Sequence, residues 1–502
     1  MTATRATLLA GIGVLLLVPS AFGQPKPLFP EQAPASPQPS ISPGFQPEIT
    51  VRQLDAPGAV GTGRSQDQAE SDDWGSTPAT VIEQLLAALP DDPADPNVRR
   101  LQVELLRTPT PAGQESERLL AIRLRRLVDL GEAEAAQALL AEAGPYAARS
   151  PGLAPEVARL DLASGQDVDG CAAASASPSA GLDEINLFCA IMAGDEDAAL
   201  VLQNALRATD SLRDQPFGAL VGAALRYGDA DAIDWSAEVQ PVDLALADHL
   251  SIKVPADAVA TASLPAVARL SVDPDVAPAV RAAARVRLDD ARGRFTTVGP
   301  EATRLRAIAA PEERARALVQ LWRDLPDAGK RLADLPQLGP IAATITPRAA
   351  LSEEAAVLAA ILLAMGEEGA ALLWFDMLEV QRRDDRRQAD RLAVLMILAG
   401  LIDPTRMPPA PDGLFAADDA VWLTAGLAGQ NLPLSAPWRT VLRPFPPPEP
   451  AAPAAMLARA LVGLSSGDPP SFARGLAGLL AIDRAIEARA VARSSVIARL
   501  HG

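Results

Sequence analysis

Two histidines, two cysteines and a few glycine-spaced motifs are the places where this chain could do chemistry. His249 sits in Asp248-His249-Leu250 on a predicted helix, and His501 is the penultimate residue. With no second fixed histidine to support it, His249 reads as a partly exposed structural residue, not a base or ligand. No HExxH, thiolate cluster or EF-hand loop occurs, so no cofactor or metal is implied. Gly463-Leu464-Ser465-Ser466-Gly467 has the spacing of a nucleophile elbow, which needs a strand before it and a histidine after it. An Ala/Leu helix precedes it and Asp468-Pro469-Pro470 follows, so the match carries no catalysis. Residues 58–65 space their glycines like a phosphate loop, but Arg64 stands where lysine is required and no helix follows. The charge run Arg382–Arg387 reads as a solvated, self-paired turn between two helices.

Cys171 and Cys189 make up the whole cysteine content. In an exported chain an even pair suggests a disulfide, closing a loop of about 19 residues worth ~3 kcal/mol. It would tether a loop of small residues, 172–181, to a helix over 183–193. Two free thiols are the alternative, because Cys189 falls at a core position of that helix. The spacing excludes a redox CxxC. The 63 acidic residues are numerous enough to supply a carboxylate pair. A glycosidase pair would stand about 5–10 Å apart in a deep cleft.

What must position these residues is almost entirely helical. The chain has 502 residues, 49% of them hydrophobic but only 4% aromatic. Ala and Leu carry the apolar content and favour closely packed helices. The net charge of −18 makes nucleic acid a poor partner, since phosphate contacts need a basic face. Lysine occurs only at Lys26, Lys253 and Lys330; arginine supplies the other cations, a bias from which no function is read.

Residues 1–23 have the form of a secretory signal. Arg5 precedes the apolar run Ala6–Val18, and Ala21-Phe22-Gly23 offers small residues for cleavage. That run is short of the ~20 residues a spanning helix needs, and no later stretch reaches that length, so no integral segment is expected after signal removal. The expected location is the periplasm, with secretion as the further possibility. Residues 24–75 read as a disordered Pro/Ser/Gly-rich leader with one strand-like segment, 49–54. The helical body is expected over 76–442, a Pro-rich linker over 443–453, and short basic helices over 454–502. In that last part Arg459, Arg474, Arg484, Arg489, Arg493 and Arg499 outnumber Asp468, Asp483 and Glu487. Its excess positive charge is expected to cap the acidic body's own end.

Within the body one turn recurs. Leu130-Gly131-Glu132, Ala193-Gly194-Asp195, Tyr227-Gly228-Asp229 and Met365-Gly366-Glu367 each end an apolar run at glycine and follow it with acid. A left-handed glycine stops one helix, and the acids favour the N-terminal dipole of the next. Helices are expected on both sides of each turn, including 217–227 and 229–235. A shorter one over 330–335 should stop at Pro336. Gly194 and Gly228 lie 34 residues apart, the tetratricopeptide period. These turns, with Ala136, Ala199 and Ala371 five residues after the glycine, resemble tetratricopeptide and related helical-hairpin repeats. The expected fold is an all-α, irregular α-solenoid of stacked helical hairpins. What the resemblance implies is a non-enzymatic protein-binding scaffold or adaptor, its partner another envelope protein or peptide. The alternative is an enzyme or enzyme subunit acting on cell-wall or polysaccharide substrates through carboxylates.

Overall fold

A computed structural model describes residues 73–110, 116–145, 147–176, 182–229, 232–292, 300–380 and 386–500. The signal, the strand-like stretch 49–54, the phosphate-loop-like glycines and most of the Arg382–Arg387 run lie outside these residues. The described residues form an all-α, irregular stack of helical hairpins and contain no strand.

The chain opens with α1 (Ala79–Ala87) and α2 (Pro96–Arg107). Hairpins follow: α3 (Glu117–Asp129) with α4 (Ala133–Ala143), α5 (Ala154–Ala163) with α6 (Asp167–Ser175), and α7 (Asp183–Met192) with α8 (Glu196–Ala208). Then come α9 (Ala219–Ala224), α10 (Pro241–His249) and α11 (Ala258–Thr261), and the hairpin α12 (Leu264–Val272) with α13 (Pro278–Ala291). The next group is α14 (Pro300–Ala307), α15 (Pro311–Asp324) and α16 (Ala328–Ala343), then the hairpin α17 (Ala355–Met365) with α18 (Glu368–Val380). The remainder is α19 (Arg386–Leu398), α20 (Ala417–Gly429), α21 (Ala436–Val441), α22 (Pro453–Leu464), α23 (Pro469–Ala481) and α24 (Ala485–Arg499).

The recurring turn is a Schellman cap. At Gly131, φ is +69°; its N–H donates to Val128 and that of Glu132 to Leu127. Gly194 and Gly366 repeat this bonding with φ +71° and +81°. The two bonds satisfy carbonyls that a helix end otherwise leaves bare. Gly228 does not belong to the set. Its φ is not left-handed; Arg226 takes φ +64° instead, and the N–H of Tyr227 bonds back to Gly222. The helix therefore ends four residues before Gly228, at Ala224, and no α-helix follows over 229–235 among the described residues. The 34-residue step between Gly194 and Gly228 is a coincidence of spelling, not a structural repeat. The same cap occurs at Gly165 and Gly400, and at Asp210, Ser251, Asn431 and Asp483, where a polar side chain tolerates the left-handed region.

Three expected boundaries move. Trp74 is fully buried and Asp73 O accepts from Ala454 N, so the packed body begins inside the stretch read as leader. Residues 443–453 are not a spacer, because Phe445 and Ala451 pack on the main core. The helices after it are not an appendage either. α22 lies against α1 and α2, while α24 packs on α2, α16, α17 and α20. Their charges meet the body's own acids: Arg484 pairs with Glu104, and Arg493 with Glu368.

The arginine bias has a structural use. Arginines from neighbouring helices repeatedly donate to carbonyls at or just beyond helix C-termini. Arg123 reaches Leu106 in α2 and Thr108 just beyond it, Arg126 reaches Ala87 of α1, and Arg269 reaches Leu162 of α5. Arg285 reaches Ser271 of α12, and Arg331 bonds Ala498 and Leu500 at the end of α24. These carbonyls lie at the negative end of the helix dipole, where the regular helix ladder runs out. A forked, permanently charged guanidinium can serve two of them at once, which an ammonium does less well.

Candidate functional site

The cysteines and the densest buried charge fall together, around α5 to α12. Cys171 on α6 and Cys189 on α7 are joined by a disulfide with Cα atoms 5.5 Å apart. Residues 172–175, read from sequence as loop, are helical in α6. Their signal was faint because Asp167–Ser175 has almost no apolar side to bury; only Gly170 and Ala174 are covered.

Arg269 of α12 is 3% exposed and clamps this region. Its Nη1 donates to Asp167 Oδ1 at 2.5 Å and to Leu162 O at 2.9 Å. Its Nη2 donates to Asp167 Oδ2 at 2.9 Å and Asp248 Oδ2 at 2.8 Å. Burial works against the cation, but the bonds to Asp167 and Asp248 hold its pKa above the ordinary value. Nearby, Arg213 bridges Glu184 at 2.8 Å and the fully buried Asp243 at 2.9 Å. Burial raises the Asp243 pKa to about 6, against the pull of Arg213. These are paired, hydrogen-bonded charges that fix helices relative to one another. His249 lies exposed at the last residue of α10, beside Asp248, which is committed to Arg269.

Asp161 of α5, like Asp290 of α13, sits where a carboxyl's pKa is raised by burial and a like charge. Burial, and then the like charge of Asp169 on α6, raise its pKa to about 6. Two clefts among the described residues do not include it. An open cleft of about 410 Å³ is lined by Asn431, Phe445, Pro447, Pro448, Ala477, Leu480 and Ala481, with no carboxylate. A tighter apolar cleft between α15, α17 and α19 includes Trp322, Leu395 and Phe415, with Arg391 and a single carboxylate, Asp419. Among the described residues no group of three or more His, Cys, Asp or Glu is arranged to hold a metal ion.

The nucleophile-elbow spacing is explained by helix packing. Gly463 is in α22, Ser465 caps its end, and Asp468 accepts from Ser471 N at the start of α23. A Cβ on Gly463 would lie 2.6 Å from Ser471 O, and one on Gly475 2.7 Å from Ala460 O. The glycines let two helix backbones touch. Ser465 is a helix-end residue without a nucleophile's setting.

The chain matches no protein-family model, no curated protein and no solved structure. Among the described residues no helix is long and apolar enough to cross a membrane.

Proposed function

We propose that this protein is an exported helical-hairpin scaffold or adaptor that binds another protein or peptide of the bacterial periplasm. The observation that carries the reading is a shared position in two hairpins. Seven residues after Gly194 and after Gly366, the second helix of each hairpin turns an apolar side chain to solvent. Val201 is 69% exposed and Leu373 is 59% exposed. Leu200 and Val380 extend the same exposure on α8 and α18. Apolar side chains on outward helix faces cost solubility and are what a protein partner covers. The Cys171–Cys189 bond supports an oxidising compartment.

The test is site-specific photo-crosslinking in the native envelope. Probes at Val201 and Leu373 should yield protein adducts, and a probe at Ala138, the same position after Gly131, should yield fewer. Absence of protein adducts at both sites, with glycan co-purifying instead, would sink the scaffold reading. The second reading, a carboxylate enzyme on cell-wall or polysaccharide substrates, has Asp161 beside Asp169 in its favour. It calls for glycan turnover that is lost on Asp161→Asn.

A further inference from the structure

Helix α6 is covalently fastened but weakly packed. Of its nine residues only Gly170 and Ala174 are buried, and Val168 is 72% exposed. It approaches α5 closely at Gly170, where a Cβ would stand 3.3 Å from Ala158 O and from Leu162 Cγ. Its first residue is held by the Asp167–Arg269 pair. Against this, Asp169 brings a like charge up to the half-buried Asp161 of α5. No large side chain anchors the helix. The bond from Cys171 to Cys189 is its remaining fastening, and both cysteines are only partly buried.

What α6 covers is apolar. Cys171, Ala173 and Ala174 pack in one cluster with Ala158 and Leu162 of α5 and Phe188 of α7. The larger core, which joins α1–α5 to α14–α24, is a distinct cluster that α6 touches only through Ala173. Loss of α6 would therefore open one side of the smaller cluster and take from the larger one only the partly buried Ala173.

We propose that Cys171–Cys189 is a reversible redox latch, the site at which an external dithiol acts on this protein. One thiolate of the dithiol attacks a cystine sulfur, the S–S bond breaks, and a mixed disulfide forms. The second thiolate then displaces the remaining cysteine. Two electrons and two protons pass to the protein, leaving two cysteine thiols and an oxidised, disulfide-bonded reductant. Freed of its covalent tie, α6 leaves α5 and α7 and uncovers Leu162, Ala158 and their neighbours.

Hydrogen exchange read by mass spectrometry on the full chain tests this, with dithiothreitol as the dithiol. The chain's two cysteines are its only ones, so the reductant acts on one bond. Amides of residues 167–176 should exchange at least tenfold faster after reduction, and those of α22–α24 should not change. The double variant Cys171→Ser/Cys189→Ser should match the reduced protein without any reductant, and reoxidation should restore protection in the native chain. Unchanged protection over 167–176 would overturn the latch. So would equal loss of protection over 167–176 and α22–α24, which would mean that the bond holds the whole fold.

Discussion

Ser495 Oγ donates to Asp95 Oδ2 at 2.7 Å, joining residues 400 positions apart in the sequence. Ser494 Oγ donates to the same oxygen at 2.5 Å. Asp95 is at the same time the N-cap of α2, its Oδ1 accepting from Asn97 N at 2.8 Å. One buried carboxylate thus caps an early helix and ties it to the last. Asp95→Ala should cost about 2–3 kcal/mol, since it removes a cap and strands the buried Ser495 hydroxyl, while that of Ser494 keeps Ala490 O. Ser494→Ala and Ser495→Ala should each cost about 1 kcal/mol. Urea denaturation of the three variants and their doubles measures this. Strictly additive losses would show that the three groups do not act as a unit.

Arg331 makes a second long-range tie. Its side chain is buried and donates to Trp322, Leu325, Ala498 and Leu500, so it closes the ends of α15 and α24 together. Burial lowers its pKa from the ordinary arginine value. Arg331→Met should cost about 3 kcal/mol by leaving four carbonyls unserved. Arg331→Lys should recover less than half of that, because one ammonium cannot reach both helix ends. Full recovery by lysine in chemical denaturation would show that charge alone matters there.

The all-α class, the stacking into hairpins and most helix positions from 79 to 398 were legible from apolar spacing. Three kinds of feature were not. Helix α16 runs through Pro336 and Pro340, although each removes a backbone donor. Burial of Leu335, Leu338 and Ile341 outweighs those losses, and local rules do not include that term. Helices α5, α6 and α20 are rich in Ala, Gly or Asp, so their periodicity is faint; their packing depends on close backbone approach, as at Gly170 and Gly429. The arginine caps were invisible because each joins a side chain to a carbonyl, and a carbonyl has no sequence. For the site, count and expected export singled out the two cysteines but left bridge and free thiols both open, whereas the Arg269 clamp on Asp167 and Asp248 needed the fold.

Mild acid should stabilise this protein. Asp161, Asp243 and Asp290 have folded pKa values of about 6, raised first by burial from the ordinary 3.8. Between those values the folded state holds protons that the unfolded chain has released. Stability is therefore greater at pH 5 than at pH 7.5 and falls as pH rises through 6. Exposed acids with lowered pKa, such as Asp468 and Asp403, act only below about pH 4 and do not oppose this trend. The melting temperature should rise between pH 7.5 and pH 5. Asp161→Asn should raise it at pH 7.5 and flatten the slope. A melting temperature that falls steadily from pH 7.5 to 5 would contradict the assignment.

The glycines of the recurring turn should differ in a defined order when replaced. Gly194 has φ +71° and open space where an added methyl group would lie, so Gly194→Ala should cost only the left-handed penalty, about 1 kcal/mol. Gly131 has φ +69° and would place its Cβ 3.0 Å from Leu264 O, where α12 begins. Gly131→Ala should therefore cost about 2–3 kcal/mol, because it also pushes on a neighbouring backbone. The sharpest contrast is at the third turn, where the left-handed residue is the exposed Arg226. Arg226→Gly relieves the strained backbone and should be neutral or stabilising by up to about 1 kcal/mol. Gly228→Ala should destabilise through contact alone, its Cβ falling 2.9 Å from the carbonyl carbon of Gly222. Clear destabilisation by Arg226→Gly in urea titration would return the cap to Gly228 and restore the 34-residue repeat.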